Sequence, residues 1–345
     1  MLFSVLIISH NQKEQLRRCV DSVLGQDLPF EHEIIISDDA STDGTRELAQ
    51  EYARKYKQVK VFLCNSDDCQ PTITSERSGH NRSNAYNHSS GKYFCHIDAD
   101  DFYRPGTNCL QEMVKLLESH PDCSICMQNG WILQDGRTLE EGHPYYKEHR
   151  FQTGEILTPE QYFKSGLFVN NGAMVMRRNE SVNPADYYHK WYVDSVITNH
   201  HLQFGNIVCL NSADWVYVQY PKSITSSLSA NDQRLLWCID TTAFAAIMVP
   251  HFKPYYYSPP YLQDLQAVCS SILNRDSYTL NAIHFCRQFS EIFLFRAACK
   301  ESLSLFDIIR LKSIRFLTKI SSRFPSSVRV FFLDNLCGTA NREIR

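Results

Sequence analysis

Over the first 130 residues, short apolar runs of strand length alternate with stretches whose apolar residues recur at helical spacing. Phe3 to Ile8 is the first run, and Leu16, Cys19, Val20, Val23 and Leu24 then share one side of a helix. Glu33 to Ser37 is strand-like, Leu48, Tyr52 and Tyr56 mark a second helix, and Val59 to Leu63 a third strand. Tyr93 to Ile97 is a fourth, followed by a helix carrying Leu110, Met113, Val114 and Leu117. Strands separated by helices run parallel through crossover connections, which predicts an α/β fold with an open, mixed, mainly parallel sheet flanked by helices. Ligands of such sheets bind beyond the carboxyl ends of the strands, so chemistry is to be sought in the loops after Ile8, Ile36 and Ile97.

The remainder is less regular. Gln134 to Thr158 is polar and rich in Gly, Pro and His, and reads as a long loop or lid. Leu167 to Met176 reads as a strand, Trp191 to Phe204 as a helix, and Ile207 to Leu210 and Trp215 to Tyr220 as strands. Helical patterns take over after Ser229, which divides the chain into an α/β domain over 1–228 and a mostly helical region over 229–345.

Composition removes several function classes. Lys plus Arg number 35 against 38 Asp plus Glu, a formal charge of −3, which excludes a generally basic nucleic-acid binder. Thirteen cysteines, an odd number without a framework of short spacings, read as reduced core thiols. Cys123 and Cys126 have the spacing of a metal knuckle but lie in an apolar run with no second pair, so they are read the same way. No run reaches 18 apolar residues and no basic segment precedes Val5 to Ile8, so a cytoplasmic protein without a membrane span is expected.

Two acidic clusters fall at the ends of expected strands. The first is Ser37-Asp38-Asp39-Ala40-Ser41-Thr42-Asp43-Gly44-Thr45. Asp43 suits the N-cap of the next helix. Asp38 and Asp39 repel one another, and a carboxylate placed there can accept a hydrogen bond from a uracil-type N–H or a ribose hydroxyl. The second cluster is Asp98-Ala99-Asp100-Asp101. In an extended backbone Asp98 and Asp100 point to one side. Carboxylates so crowded call for a neutralising cation, and a hard divalent ion with oxygen ligands, completed by phosphate oxygens, suits them.

With Ser9-His10-Asn11, these segments resemble the family 2 glycosyltransferases, whose catalytic domain has the A-type glycosyltransferase fold. The resemblance covers roughly residues 2 to 228 and rests on several segments in the right order. It implies transfer of a sugar from a nucleoside-diphosphate donor, often a UDP-sugar, with inversion, in assembly of a cell-surface polysaccharide or lipid-linked glycan. Ser9, Asn11 and Asp38 would border the donor, Asp39 would bind the base, Asp98 the ribose or metal, and Asp100 the metal, Mn²⁺ or Mg²⁺. Gly79 to Ala85 resembles the family's Ala-Arg-Asn stretch, with Asn84 in place and Arg82 one residue displaced. Tyr220-Pro221-Lys222-Ser223 stands where the family often has Tyr-Arg-x-His, so Lys222 is expected to supply the cation. Trp191-Tyr192-Val193-Asp194 keeps the Asp of the family's Glu-Asp pair.

These parts define an expected mechanism. A metal-bridged diphosphate is a stabilised leaving group, and one carboxylate on the opposite face takes the acceptor's proton. Asp194 is the expected base, with His200 and His201 as rivals, and Trp191 and Tyr192 are expected to stack on the acceptor sugar. Two alternatives belong to other classes. A sugar-phosphate nucleotidyltransferase needs a Gly-rich loop after the first strand, and Ser9 to Lys13 contains no glycine. A non-catalytic sugar- or nucleotide-binding module stays open, because the missing Tyr-Arg-x-His segment is compatible with decay of an active site, while the retained aspartates argue against decay. Leu303 to Phe324, read as a helix, sets Phe306, Ile309, Leu317, Ile320 and Phe324 beside Lys312, Arg315, Lys319 and Arg323. Two readings of that helix stay open: a peripheral contact with an anionic membrane, on the inner face of the cytoplasmic membrane, or packing on the catalytic domain. An oligomer is compatible with either.

Overall fold

β1 (Phe3–Ser9) is central in the sheet, pairing in parallel with β2 (His32–Asp39) on one side and β4 (Tyr93–Asp98) on the other. β3 (Val59–Cys64) extends the parallel half beyond β2. Val5, Leu6, Ile7, Ile34, Ile35 and Ile36 are fully buried. Strands covered on both faces read as unbroken apolar runs, which is why the sequence located them. The computed structural model describes residues 2–64, 74–147, 151–165, 167, 170–180 and 194–221, all in the first of two units of the chain, Met1–Ser226. The helical readings of 229–345, including Leu303 to Phe324, lie outside the described residues.

Three helices sit where periodicity placed them. α1 (Lys13–Leu24) buries Leu16, Cys19, Val20 and Val23. α2 (Thr45–Lys55) buries Leu48, Ala49 and Tyr52. α4 (Cys109–Ser119) buries Leu110, Met113, Val114 and Leu117. Each large apolar side chain so buried contributes about 1.5–3 kcal/mol. Between β3 and β4 the chain adds a helix that the pattern did not reveal, α3 (Thr74–Asn87).

The chain steps outward from β1 to β2 to β3, then returns to place β4 on the other side of β1. That reversal opens a crevice beyond the carboxyl ends of β1 and β4. The order across the sheet is β3-β2-β1-β4-β9-β6-β10-β5. β9 (Met174–Arg177) lies antiparallel between β4 and β6 (Cys123–Gln134), β10 (Asn206–Gln219) runs parallel to β6, and β5 (Phe102–Tyr103) is antiparallel to β10.

Four expectations are corrected. The stretch from Gln134 to Thr158 carries short strands: β7 (His143–Pro144) pairs with β6 and β8 (Ile156–Leu157) with β10. Among the described residues of the strand expected over Leu167 to Met176, strand begins at Met174, after a 3-10 turn at Asn171–Ala173. Within that turn Gly172 packs against Trp215, whose indole leaves no room for a Cβ. The two expected strands after Ile207 are one strand, with a register shift between Leu210 and Trp215. Finally, the segment after Asp98 is a turn rather than extended backbone, so the two carboxylates meet by chain reversal, not by strand alternation.

α5 (Pro159–Ser165) and α6 (Asp194–His201) complete the described helices. Cys123 and Cys126 are buried, as are the other five cysteines described. Among the described residues no helix is long and apolar enough to cross a membrane.

Candidate active site

One turn of α3 ties four strand ends together. Asn81 Nδ2 donates to the carbonyls of Ser9 (3.3 Å) and Ser37 (3.0 Å), at the ends of β1 and β2. Arg82 Nη2 donates to both carboxylate oxygens of Asp98, at 2.7 and 2.9 Å, at the end of β4. Asn84 Nδ2 donates to Ser37 Oγ (2.8 Å) and Cys64 Sγ (3.3 Å), reaching the end of β3. Polar side chains buried at strand ends lose their water, and these bonds replace it.

The loops after β1 and β2 are joined to each other. The Asn11 amide donates to Ser41 Oγ (2.8 Å), and Asn11 Oδ1 accepts the Thr42 amide (2.8 Å). The Gln12 amide donates to Thr45 Oγ1 (3.0 Å), and His10 Nδ1–H to the Asp39 carbonyl (2.5 Å). Asn11 and Ala40 both sit at φ 52°, in the left-handed region that non-glycine residues avoid. Such strain persists only where surrounding bonds impose it, and it gathers at functional sites.

The two aspartates of the first cluster divide their work. Asp38 is fully buried and accepts the Ser41 amide (3.0 Å), the Ser41 hydroxyl (2.5 Å) and the Ser9 hydroxyl (3.4 Å). Arg46 Nε stands 3.5 Å from its other side. Its oxygens are therefore spent on shaping the loop. Asp39 ends β2 in register with Cys64 and faces away from that network by strand alternation. Asp43 accepts the amides of Thr45 (3.0 Å) and Lys13 (3.2 Å) and the Thr45 hydroxyl, so it caps α2 from one residue before the cap position. That position is Gly44, at φ 93°.

Beyond β4, the amide of Ala99 donates to the Ile8 carbonyl (3.0 Å), and that of Asp101 to the Asp98 carbonyl (3.0 Å). Asp101 is buried and accepts the Val218 amide (3.1 Å), linking the turn to β10. Burial, with Asp100 and Asp98 beside it, pushes its carboxyl well above the usual range. Burial and then Asp98 push Asp100 up to about 7. Asp98 and Asp100 both keep partial contact with solvent. Two crowded carboxylates with open positions around them fit a hard divalent ion that keeps water or phosphate oxygens as its other ligands. Among the described residues no group of three or more His, Cys, Asp or Glu is arranged to hold a metal unaided.

Of the other expected site residues, Arg82 is 1% exposed and stands behind Asp98, paired with its carboxylate. Asp194 is the first residue of α6. Both rival bases are buried, and burial, its largest cause in each case, depresses His200 and His201 to about 4. They are neutral at pH 7 and weak as proton acceptors. Trp191, Tyr192 and Lys222 lie outside the described residues. Asn81 lies in the Gly79 to Ala85 stretch, but its residue type alone does not separate it from a solvated polar residue.

The model for Glycosyl transferase family 2 matches residues 4–183. An uncharacterized protein of Mycobacterium tuberculosis is 26% identical over 243 residues, 68% of this chain and 63% of its own length. The chain thus spans less than two thirds of that relative. The poly(ribitol-phosphate) beta-glucosyltransferase of Bacillus spizizenii is 32% identical over 103 residues, 30% of this chain and 15% of that protein. Among solved structures, S. aureus TarS 1-349 in complex with UDP-GlcNAc is similar with a TM-score of 0.52 at 14% identity, over 93% of this chain and 92% of that one. That likeness is one of fold.

Proposed function

Since this chain belongs to glycosyl transferase family 2, we propose that it moves a sugar from a nucleoside-diphosphate donor, a UDP-sugar, to a hydroxyl acceptor, with inversion at the anomeric carbon. The observation that carries this reading is the turn after β4: two carboxylates, Asp98 and Asp100, held together at the switch point of the sheet with Arg82 behind them. Asp39 accepts the N–H of the base, while Ser9, Asn11 and Asp38 shape the loop that receives the nucleoside. Asn84 holds the neighbouring end of β2.

Asp98 and Asp100 would hold Mn²⁺ or Mg²⁺. When bound, such an ion supplies Lewis-acid stabilisation to the departing diphosphate. Arg82 holds the Asp98 carboxylate in place through both of its oxygens, and Lys222 is assigned to the diphosphate as a second cation. Asp194 takes the proton from the acceptor hydroxyl as the new bond forms, a role that needs a carboxylate on the face opposite the leaving group. Trp191 and Tyr192 are assigned to the acceptor sugar.

The acceptor belongs to a cell-surface polysaccharide or lipid-linked glycan, a reading supported by the relative named for poly(ribitol-phosphate). The protein is placed in the cytoplasm, at or near the inner face of the membrane. A panel of nucleotide sugars incubated with the full chain and Mn²⁺ or Mg²⁺ tests the activity through release of free nucleoside diphosphate. Release from one donor class, dependent on the metal, is expected. No release from any donor, with or without glycan or lipid acceptors, would remove the transferase reading.

A further inference from the structure

α1 runs beside the acidic turn, and three of its side chains meet three backbone groups of that segment. Cys19 Sγ donates to the Asp98 carbonyl (3.7 Å), Arg18 Nη2 donates to the Asp100 carbonyl (3.0 Å), and Ser22 Oγ accepts the Tyr103 amide (3.0 Å). Arg18 does more than the other two. Its Nη2 also donates to the Tyr220 hydroxyl (2.7 Å), and its guanidinium lies over the Phe102 ring, 4.5 Å from the centroid. Phe102 belongs to a buried cluster with Leu133, Val216 and Val218, so the ring on which the guanidinium stacks is fixed by its packing.

We propose that Arg18 is a positioning residue for the acidic turn: by fixing the Asp100 backbone it keeps the Asp98 and Asp100 carboxylates together, open to one divalent cation carrying a nucleoside diphosphate. This rests on the nucleotide-sugar reading and adds to it a residue that touches neither substrate nor ion. Two like charges one turn apart repel, so an unrestrained turn would separate them. A donor placed on the backbone carbonyl restrains the turn without consuming a carboxylate oxygen. At the same time Arg18 ties the turn to Tyr220, the residue at which the chain leaves β10. Lysine would keep the charge but not the planar fork or the stacking.

The test uses the full chain with Arg18→Lys and Arg18→Met. Arg17→Met serves as the control: it removes a cation from the same helix, on a side chain 45% exposed and paired along the surface with Glu14. Hydrogen exchange of the amides of 99–103 reads the turn directly. Calorimetry reads affinity for UDP and GDP with and without Mn²⁺. Both Arg18 variants should exchange these amides faster and bind the nucleotide about tenfold more weakly in the presence of Mn²⁺, the scale of one lost charged hydrogen bond. Binding without Mn²⁺ should be unchanged, and Arg17→Met should match the unaltered protein throughout. A lowered Tm with unchanged exchange in 99–103 and unchanged Mn²⁺-dependent affinity would overturn the proposal and leave Arg18 as ordinary packing. If the unaltered protein binds neither nucleotide with Mn²⁺, the nucleotide-sugar reading is what fails, and exchange in 99–103 alone then decides whether Arg18 holds the turn.

Discussion

Replacing Arg82 with methionine removes the cation behind Asp98 and preserves most of the side-chain volume. The guanidinium is 1% exposed and the Asp98 side chain 32%, and the two oxygens accept from one Nη2 at 2.7 and 2.9 Å. Breaking a fully buried ion pair costs about 3–5 kcal/mol, because the orphaned charge remains desolvated. Asp98 keeps part of its side chain in water, which lowers the cost to about 2 kcal/mol. The orphan also faces Asp100, and repulsion between them works in the same direction. For a unit of this size the loss corresponds to a Tm lowered by roughly 4–8 °C. Adding Asp98→Asn to Arg82→Met removes the orphaned charge and should recover about half of the loss. Thermal unfolding followed by circular dichroism, on both single variants and the double, measures the coupling. A Tm for Arg82→Met within about 1 °C of the unaltered protein, or losses that simply add in the double variant, would refute the assignment of this pair.

Asp194→Asn should lower turnover by about 10² to 10⁴ while donor affinity changes little, and turnover surviving within a few-fold would place the base elsewhere. Gly172→Ala drives a methyl into the Trp215 indole, which is 1% exposed, and should cost about 1–3 kcal/mol in urea unfolding; an unchanged midpoint would mean the indole moves freely. His201, 2% exposed, is depressed from 6.5 to about 4 by burial, its bond to the Ile197 carbonyl (2.8 Å) opposing and Arg178 reinforcing the shift. The folded value lies below the unfolded one, so the stability it contributes is full above pH 6.5 and is lost as pH falls toward 4, by about 3 kcal/mol. His201→Gln should therefore show a shallower loss of stability between those pH values, and parallel curves would contradict this.

The half of the sheet built on β1, β2 and β4 was legible because strands buried on both faces write themselves as apolar runs. The acidic turn was legible for the opposite reason: Asp98, Asp100 and Asp101 crowd together at the end of such a run. α3 was not, because its buried residues include Asn81 and Arg82, which tie strand ends, and Ser83, which bonds back to Gly79, and these leave no apolar stripe for periodicity to find. The division between Asp38 and Asp39 was equally hidden. Adjacent strand residues point to opposite sides, and only the fold decides which side meets Ser9, Ser41 and Arg46. Arg18 looks like one more charged residue on a surface helix, and its role depends on β5 and Tyr220 arriving from distant parts of the chain.

Calorimetry of nucleoside-diphosphate binding to Asp100→Ala, with and without Mn²⁺, tests most directly whether the turn after β4 is the seat of the chemistry. The unaltered protein should bind UDP more tightly when Mn²⁺ is present. Asp100→Ala should lose that metal-dependent increment while keeping its circular dichroism spectrum and its weaker metal-free binding, because Asp100 makes its contribution through the ion rather than through the fold. An undiminished response to Mn²⁺ in a folded Asp100→Ala protein would contradict the assignment of the acidic turn to metal and diphosphate.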